Sequence, residues 1–160
     1  MGQPHVVTLR ATRDGDLDAL FAFEQDEVAV RMAAFTAPDP TDRATFDAHW
    51  RRLLADPSVD ARTVRADGEI VGSVARWYED DTPEVTYWID RSHWGEGIAT
   101  RAVRLFLDAL HERPVRVRVA ADNAASIAVL EKLGFEQVGT EVSYANARGT
   151  EIEERVYRLA

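Results

Sequence analysis

Apolar and polar residues follow two distinct periodicities along this chain, and together these divide it into strands and helices. Strict alternation indicates strands, whereas apolar residues three or four positions apart indicate helices. The predicted strands are residues 6–9, 61–66, 69–78, 84–89, 115–119, 135–144 and 151–159. Helical spacing begins near Asp14 or Asp16. It continues in segment 31–57, where residues 37–42 separate two helical pieces. It occurs again in residues 98–110 and 123–133. This order predicts a mixed α/β sheet with helices packed against it.

Several residues of types that commonly cap helices support these boundaries. Thr41 or Asp42 is expected to cap the helix that follows, because a side-chain oxygen at that position accepts from a free backbone N–H. Asp122 or Asn123 has the same role before the last helix. Gly134 stands where a left-handed residue usually ends a helix. The boundaries therefore follow from local chemistry as well as from periodicity.

Length and composition favour a single domain over residues 1–160. A chain of 160 residues with 46% hydrophobic residues can bury a core of its own. It contains no cysteine, which excludes disulfides, thiolate metal sites and a cysteine nucleophile. The first 20 residues lack the apolar segment of a signal peptide, and no apolar run is long enough to span a bilayer. We therefore expect a cytoplasmic protein that does not bind membranes.

The charge balance narrows the choice of partners. Acidic residues number 28 against 19 basic ones, for a net charge of −9, which argues against nucleic acid and favours a cationic or amine-bearing partner. The four histidines, His5, His49, His93 and His111, show no spacing typical of a metal site. We therefore expect no metal.

The most informative loop lies between the strand at 84–89 and the helix at 98–110. Gly95 and Gly97 permit a tight turn directly before the helix, whose free backbone N–H groups and positive dipole end attract anions. A phosphate group is the natural ligand of such a turn. From these two glycines alone, a connection without any ligand is equally compatible with the sequence.

A second segment favours a ligand-binding site over a connection without any ligand. Residues 120–135 follow a strand that is expected to lie beside the strand at 84–89, so the two segments meet in one cleft. Trp-Gly-Glu-Gly-Ile-Ala-Thr at 94–100, Asn-x-x-Ser at 123–126 and Leu-Glu-Lys-Leu-Gly-Phe at 130–135 together resemble the GNAT family of acyl-CoA N-acyltransferases. The resemblance spans essentially residues 6–159. It is strongest for the branch of ribosomal-protein N-terminal acetyltransferases and small-amine acetyltransferases, the RimJ/RimL-like enzymes.

The resemblance implies a single mostly antiparallel sheet whose fourth and fifth strands splay apart to admit acetyl-CoA. It also implies direct attack of an amine, from a small molecule or a peptide N-terminus, on the thioester in a ternary complex. The implied cofactor-binding residues are Trp88, Ile89, His93, Trp94, Gly95, Glu96, Gly97, Ile98, Ala99, Thr100, Asn123 and Ser126. Asn123 and Ser126 can alternatively serve only to cap their helix.

Two side chains are candidates for proton transfer. The resemblance implies that Glu84 is the base, and an apolar environment of Val85, Tyr87 and Trp88 would raise its pKa. An exposed acid at a strand end is the alternative. Ser126 is implied as the hydrogen-bond donor to the thioester sulfur.

Two positions depart from the family pattern. Ser92 occupies a place where many members have a glutamine or arginine that helps to hold the pyrophosphate, with Arg91 one position earlier. Leu130 occupies the place of a tyrosine acid that other members use, which points to Ser126 or water instead.

The sequence says less about the acceptor-binding part of the cleft and about the oligomeric state than about the cofactor site. Glu24, Glu27, Phe35 and Trp50 are candidates for the wall of the acceptor cleft, although core packing explains the aromatic residues equally well. The apolar final strand, residues 156–159, makes a homodimer plausible. A non-catalytic acyl-CoA-binding or regulatory domain is the alternative function.

Overall fold

A computed structural model describes residues 5–160 of the chain. Its seven strands are β1 (Val7–Ala11), β2 (Asp60–Ala66), β3 (Glu69–Glu79), β4 (Thr82–Ile89), β5 (Val115–Ala120), β6 (Glu136–Ala145) and β7 (Thr150–Leu159). Its five α-helices are α1 (Leu17–Phe23), α2 (Glu27–Ala33), α3 (Arg43–Ala55), α4 (Ile98–Ala109) and α5 (Ala124–Lys132). Short 3₁₀ turns at Asp14–Asp16 and Arg91–His93 precede α1 and α4. The predicted element order is confirmed.

All seven strands form one sheet in the order β1-β2-β3-β4-β5-β7-β6. Every neighbouring pair is antiparallel except β4 and β5, which run parallel. These two strands pair at a single register position, Glu84 with Arg116, and separate beyond it. The mixed, mostly antiparallel sheet with splayed fourth and fifth strands is therefore confirmed.

Two layers of helices cover the sheet because successive strand residues point to opposite faces. On one face Val64, Val85 and Val117 pack with the apolar stripe of α4, including Phe106, and with Leu130 of α5. On the other face α1 and α3 form a smaller cluster with residues of β2 and β3: Leu17, Leu20, Trp50, Ala61 and Ile70. The gap between β4 and β5 thus opens toward both helical layers.

The predicted helix caps are present. Asp42 accepts from the backbone N–H of Thr45 at 3.1 Å and begins α3. Asn123, rather than Asp122, accepts from the backbone N–H of Ser126 at 3.2 Å and begins α5. Gly134 follows α5 with φ of +93°, the left-handed conformation expected there.

The helix before the 37–42 break starts earlier than the sequence pattern predicted. The predicted segment began at Arg31, whereas α2 runs from Glu27 to Ala33. Its start is set by Asp26, whose carboxylate accepts from the backbone N–H of Ala29 at 3.0 Å. A single capping contact determined this boundary more strongly than the apolar spacing did.

The feature that suggested a homodimer has a different explanation. Val156 is 7% exposed and Tyr157 is 1% exposed, because β7 lies inside the sheet between β5 and β6. Leu159 packs against the main core. The apolar character of the last strand therefore reflects burial within one chain, and a homodimer stays a prediction without this support.

A buried carboxylate ties β1 to β2 next to α1. Asp16 is 2% exposed and accepts from both Arg10 Nη atoms at 2.7 and 2.8 Å and from Thr63 Oγ1 at 2.8 Å. The Arg10 guanidinium, above all, lowers the pKa of Asp16 to about 2. Its stabilising effect is therefore present above the ordinary carboxyl pKa and is lost as the pH falls through about 2.

We expect Asp16→Asn to lower the free energy of unfolding by about 2 kcal/mol near neutral pH, because the buried ion pair with Arg10 is broken. Urea denaturation measures the loss. The exposed Asp14→Asn in the same turn is the matched control and should change little. The difference between Asp16→Asn and wild type should shrink on acidification, and a difference that persists at acid pH would contradict the ion-pair explanation.

Candidate functional site

Two cavities meet where β4 and β5 separate. The larger, of about 610 Å³, lies between the sheet and the layer of α2 and α3. The smaller, of about 400 Å³, lies between the start of α4, the start of α5 and α2. The residues that line both cavities are Ala33, Tyr87, Trp88, Asn123 and Ser126. A ligand in one cavity can therefore reach a ligand in the other only at this shared boundary, which we call the junction.

The smaller cavity collects nearly all of the residues that the sequence implied for cofactor binding. The implied residues that line it are Trp88, Ile89, His93, Trp94, Gly95, Gly97, Ile98, Ala99, Thr100, Asn123 and Ser126. Lys132, the single lysine of the chain, also lines it and was not predicted. The two motifs, far apart in sequence, thus form one binding site.

Glu96 is the exception among the implied cofactor residues. Its carboxylate hydrogen-bonds to His5 Nε2 and lies 3.3 Å from Nδ1 of His93, and its side chain does not line the cavity. This arrangement directs a negative charge away from the site of an anionic ligand. The prediction that Glu96 binds the cofactor therefore concerns its backbone amide in the 94–100 loop, and it stays a prediction.

The glycine loop before α4 has the shape of a phosphate cradle. Gly95 and Gly97 have φ of +78° and +77°, and a Cβ built on either glycine would meet no atom within 4 Å. Open space therefore lies directly against this backbone, beside the free N–H groups of the first turn of α4. His93 also lines this cavity. These features fit a diphosphate group.

Ser92 and Arg91, the loop residues that depart from the family pattern, form hydrogen bonds outside the cradle. Ser92 donates to Asp90 Oδ2 at 2.6 Å. Arg91 donates through Nε to Asp26 Oδ2 at 2.6 Å, which joins the loop to the cap of α2. Side-chain contacts from these positions therefore do not contribute to the cradle, and backbone N–H groups are the donors that remain.

A hydroxyl pair occupies the junction. Tyr87 of β4 hydrogen-bonds through its hydroxyl to Ser126 Oγ in the first turn of α5. Burial raises the pKa of Tyr87 above its usual value, so its hydroxyl stays protonated. Ser126 was predicted at this place, whereas Tyr87 had been considered only as an apolar neighbour of Glu84. Two proton-bearing oxygens thus lie where the two cavities meet.

The structure places Glu84 differently from the prediction. Glu84 is 4% exposed and lines neither cavity. Its Oε1 accepts from Arg116 Nε at 2.8 Å and also from Arg118 Nη1. Val85 and Tyr87 point to the opposite face of β4, toward the core around α4, so the apolar environment predicted for Glu84 is wrong. The Glu84 carboxylate is therefore occupied by two ion pairs and faces neither cavity.

The larger cavity contains three of the four residues predicted for an acceptor wall. Glu24, Phe35 and Trp50 line it, whereas Glu27 is exposed on α2 and does not. Burial raises the pKa of Glu24 to about 7. The rest of the wall combines apolar side chains such as Phe46, Leu53 and Trp88 with polar and charged ones. This cavity therefore offers both apolar surface and charged groups to a ligand.

Comparison with known proteins identifies the class to which this fold and site belong. The Acetyltransferase (GNAT) domain family matches residues 7–136, which is most of the chain. The chain therefore belongs to the GNAT acetyltransferase family, as its motifs predicted. It is an acetyl-CoA-dependent N-acetyltransferase.

Individual relatives agree with this assignment. The chain is 31% identical to the N-acetyltransferase p20 of Bacillus licheniformis over 96% of this chain and 92% of that protein. It is 30% identical to the N-alpha-acetyltransferase RimI of Mycobacterium tuberculosis over 73% of this chain and 75% of that protein. The fold matches Mycobacterium smegmatis RimJ in complex with CoA-disulfide with a TM-score of 0.79 at 23% identity, covering 96% and 81% of the two chains. The predicted GNAT family is confirmed.

None of the helices within residues 5–160 combines the length and the apolar character needed to cross a bilayer. Within the same residues, no group of three or more histidine or carboxylate side chains is arranged to hold a metal ion.

Proposed function

We propose that acetyl-CoA occupies the smaller cavity and that a primary amine enters through the larger one. The observation that carries this proposal is the junction, since it is the boundary at which two separately bound molecules come into contact. The phosphate cradle at Gly95 and Gly97 supports the placement of acetyl-CoA. The gap between β4 and β5 supports the passage of an extended pantetheine arm toward the junction.

The proposed reaction is direct transfer within a ternary complex. Bound acetyl-CoA supplies an acetyl thioester, whose carbonyl carbon forms a bond with the amine nitrogen as its bond to sulfur breaks. The amine must lose a proton and the sulfur must gain one. The wall of the cavities aligns the two substrates, which by itself supplies a large part of the acceleration.

The hydroxyl pair at the junction provides the proton for the sulfur. Tyr87, whose raised pKa keeps it protonated, donates to the sulfur directly or through Ser126. Among residues 5–160 no carboxylate lines the junction itself, and Glu84 lies outside both cavities in ion pairs with Arg116 and Arg118. We infer that the proton of the amine passes to water in the open larger cavity. The primary amine is that of a small molecule or a peptide N-terminus.

Calorimetric titration with acetyl-CoA, and with acetylpantetheine that lacks the nucleotide, tests the donor site. We expect acetyl-CoA to bind much more tightly because its phosphates contact the cradle. Gly97→Ala should weaken acetyl-CoA binding about tenfold or more, because a methyl group enters the cradle and the left-handed backbone is strained.

Gly149→Ala is the matched control for this variant. Gly149 has φ of +67° in the β6–β7 turn and a Cβ there also meets nothing within 4 Å, so the backbone strain is similar but remote from the cavities. Its affinity for acetyl-CoA should equal that of wild type. Equal weakening in both variants would refute the cradle, and acetyl-CoA binding without any product from a broad set of amines would favour the non-catalytic alternative.

A further inference from the structure

Glu24 differs from the other carboxylates of the larger cavity because it has no partner among residues 5–160. No ion pair or hydrogen bond acts on it, and burial is the sole cause of its raised pKa. By contrast, Asp39 accepts from the backbone N–H of Thr41 at 3.0 Å, and Asp42 from that of Thr45 at 3.1 Å. A half-buried carboxylate without a compensating partner costs folding free energy, and a cationic ligand in the cavity would supply that partner.

The position of Glu24 separates it from the reacting atoms. It directly follows α1, which packs over β2 and β3 through contacts that include Ala61 and Ile70. The junction lies at the gap between β4 and β5. These two places are about two strand spacings apart, or roughly 10 Å. Glu24 is therefore placed to contact a part of the acceptor that is distant from the amine being acetylated.

The other charged groups that face this cavity leave room for a cation near Glu24. They are Asp39, Asp42, His49, Arg52 and Arg118. Arg118 is already held by Glu84 and Glu141. Partial burial, and to a lesser degree Arg52, lower the pKa of His49, which favours its neutral form. Arg52 is thus the one free cation in this described wall, against three carboxyl groups.

We propose that the larger cavity selects acceptors that carry a second cationic group, and that Glu24 binds this group while the first amine lies at the junction. This inference rests on the proposed function, since it places the reacting amine at the junction. Glu24 is in this view a specificity-determining residue rather than a catalytic one. The apolar wall around Phe46 and Leu53 suits the hydrocarbon that connects the two cationic groups.

The test compares linear α,ω-diamines of increasing length with n-alkyl monoamines of equal length. We expect kcat/KM for the best diamine to exceed that of its matched monoamine about 10- to 100-fold, as a charged hydrogen bond in a partly buried site allows. In Glu24→Gln this preference should disappear through a higher KM for the diamine. The loss for the monoamine should be much smaller than the loss for the diamine, and the affinity for acetyl-CoA should not change. Glu69→Gln, at the exposed first residue of β3, is the control.

A binding measurement separates this proposal from the transfer reaction itself. Calorimetry of the same diamines with protein saturated with CoA requires no turnover. Wild-type affinity should rise as the pH increases through about 7, where Glu24 ionises, and Glu24→Gln should bind weakly with little dependence on pH in this range. Binding that Glu24→Gln weakens supports the role of Glu24 even if no product forms.

Two results would overturn the inference. One is equal kcat/KM for diamines and monoamines in the wild-type enzyme. The other is a diamine preference that survives in Glu24→Gln. In either case, acetylation of monoamines would still support the proposed function. A failure of acetyl-CoA to bind would contradict the proposed donor site and would not by itself contradict the role of Glu24.

Discussion

Tyr87→Phe is expected to lower kcat by about two orders of magnitude or more, the usual loss when a positioned proton donor is removed. The hydroxyl of Tyr87 lies at the junction, is bonded to Ser126, and stays protonated because burial raises its pKa. Phenylalanine keeps the ring and its packing against the core. Steady-state kinetics with a saturating amine measures the loss, and the affinity for acetyl-CoA should change less than about threefold.

Tyr144→Phe is the matched control, because Tyr144 is 60% exposed on β6 and lies outside both cavities. Ser126→Ala should also lower kcat. If the two hydroxyls act as one proton-donating unit, the double variant should be little slower than the slower single variant. A Tyr87→Phe enzyme with normal kcat would eliminate the tyrosine as the proton donor.

The parts of the fold that the sequence predicted well are those that local chemistry determines. Asn123 and Gly134 mark the ends of α5 through backbone groups within a few residues of each. The period of apolar residues in α4 arises from a single helix face that covers the sheet. The cofactor loop belongs to this group as well, because its glycines and the start of α4 are contiguous in the chain.

The proton-transferring groups could not be predicted in the same way because they depend on contacts between distant residues. Tyr87 and Ser126 are brought together only when β4 and α5 pack against each other. One signal was available: alternation places Tyr87 on the same face of its strand as Val85 and Ile89, which point toward the helices. Used together with the predicted position of Ser126, this would have suggested the hydroxyl pair.

Glu84 shows why a residue can match a motif position and still have a different environment. The alternating arginines of β5, Arg116 and Arg118, pair with acids of neighbouring strands. Glu84 is the shared partner of Arg116 and Arg118, and only the parallel register of β4 and β5 reveals this. Its burial with two cations holds the two strands together just below the point where they separate. Glu84 therefore stabilises the paired part of β4 and β5 next to the cleft.

Gly72→Ala is expected to destabilise the protein by about 3 kcal/mol or more, at the upper end of the usual cost of overpacking. A Cβ at this position would lie 2.0 Å from the carbonyl oxygen of Trp88 and 2.9 Å from Cδ1 of Ile89. Because the first of these is a backbone atom, β3 and β4 must move apart. Thermal denaturation should show a Tm lower by about 6–12 °C.

The same displacement should weaken acetyl-CoA binding, because Trp88 and Ile89 line the smaller cavity at the end of β4. Gly139→Ala provides the control within the same sheet. A Cβ on Gly139 of β6 meets nothing within 4 Å, so alanine there should leave Tm and affinity unchanged or raise Tm slightly. The close approach of β3 to β4 at Gly72 positions the strand that borders the donor site. If Gly72→Ala matched Gly139→Ala in both measurements, that positioning role would be ruled out.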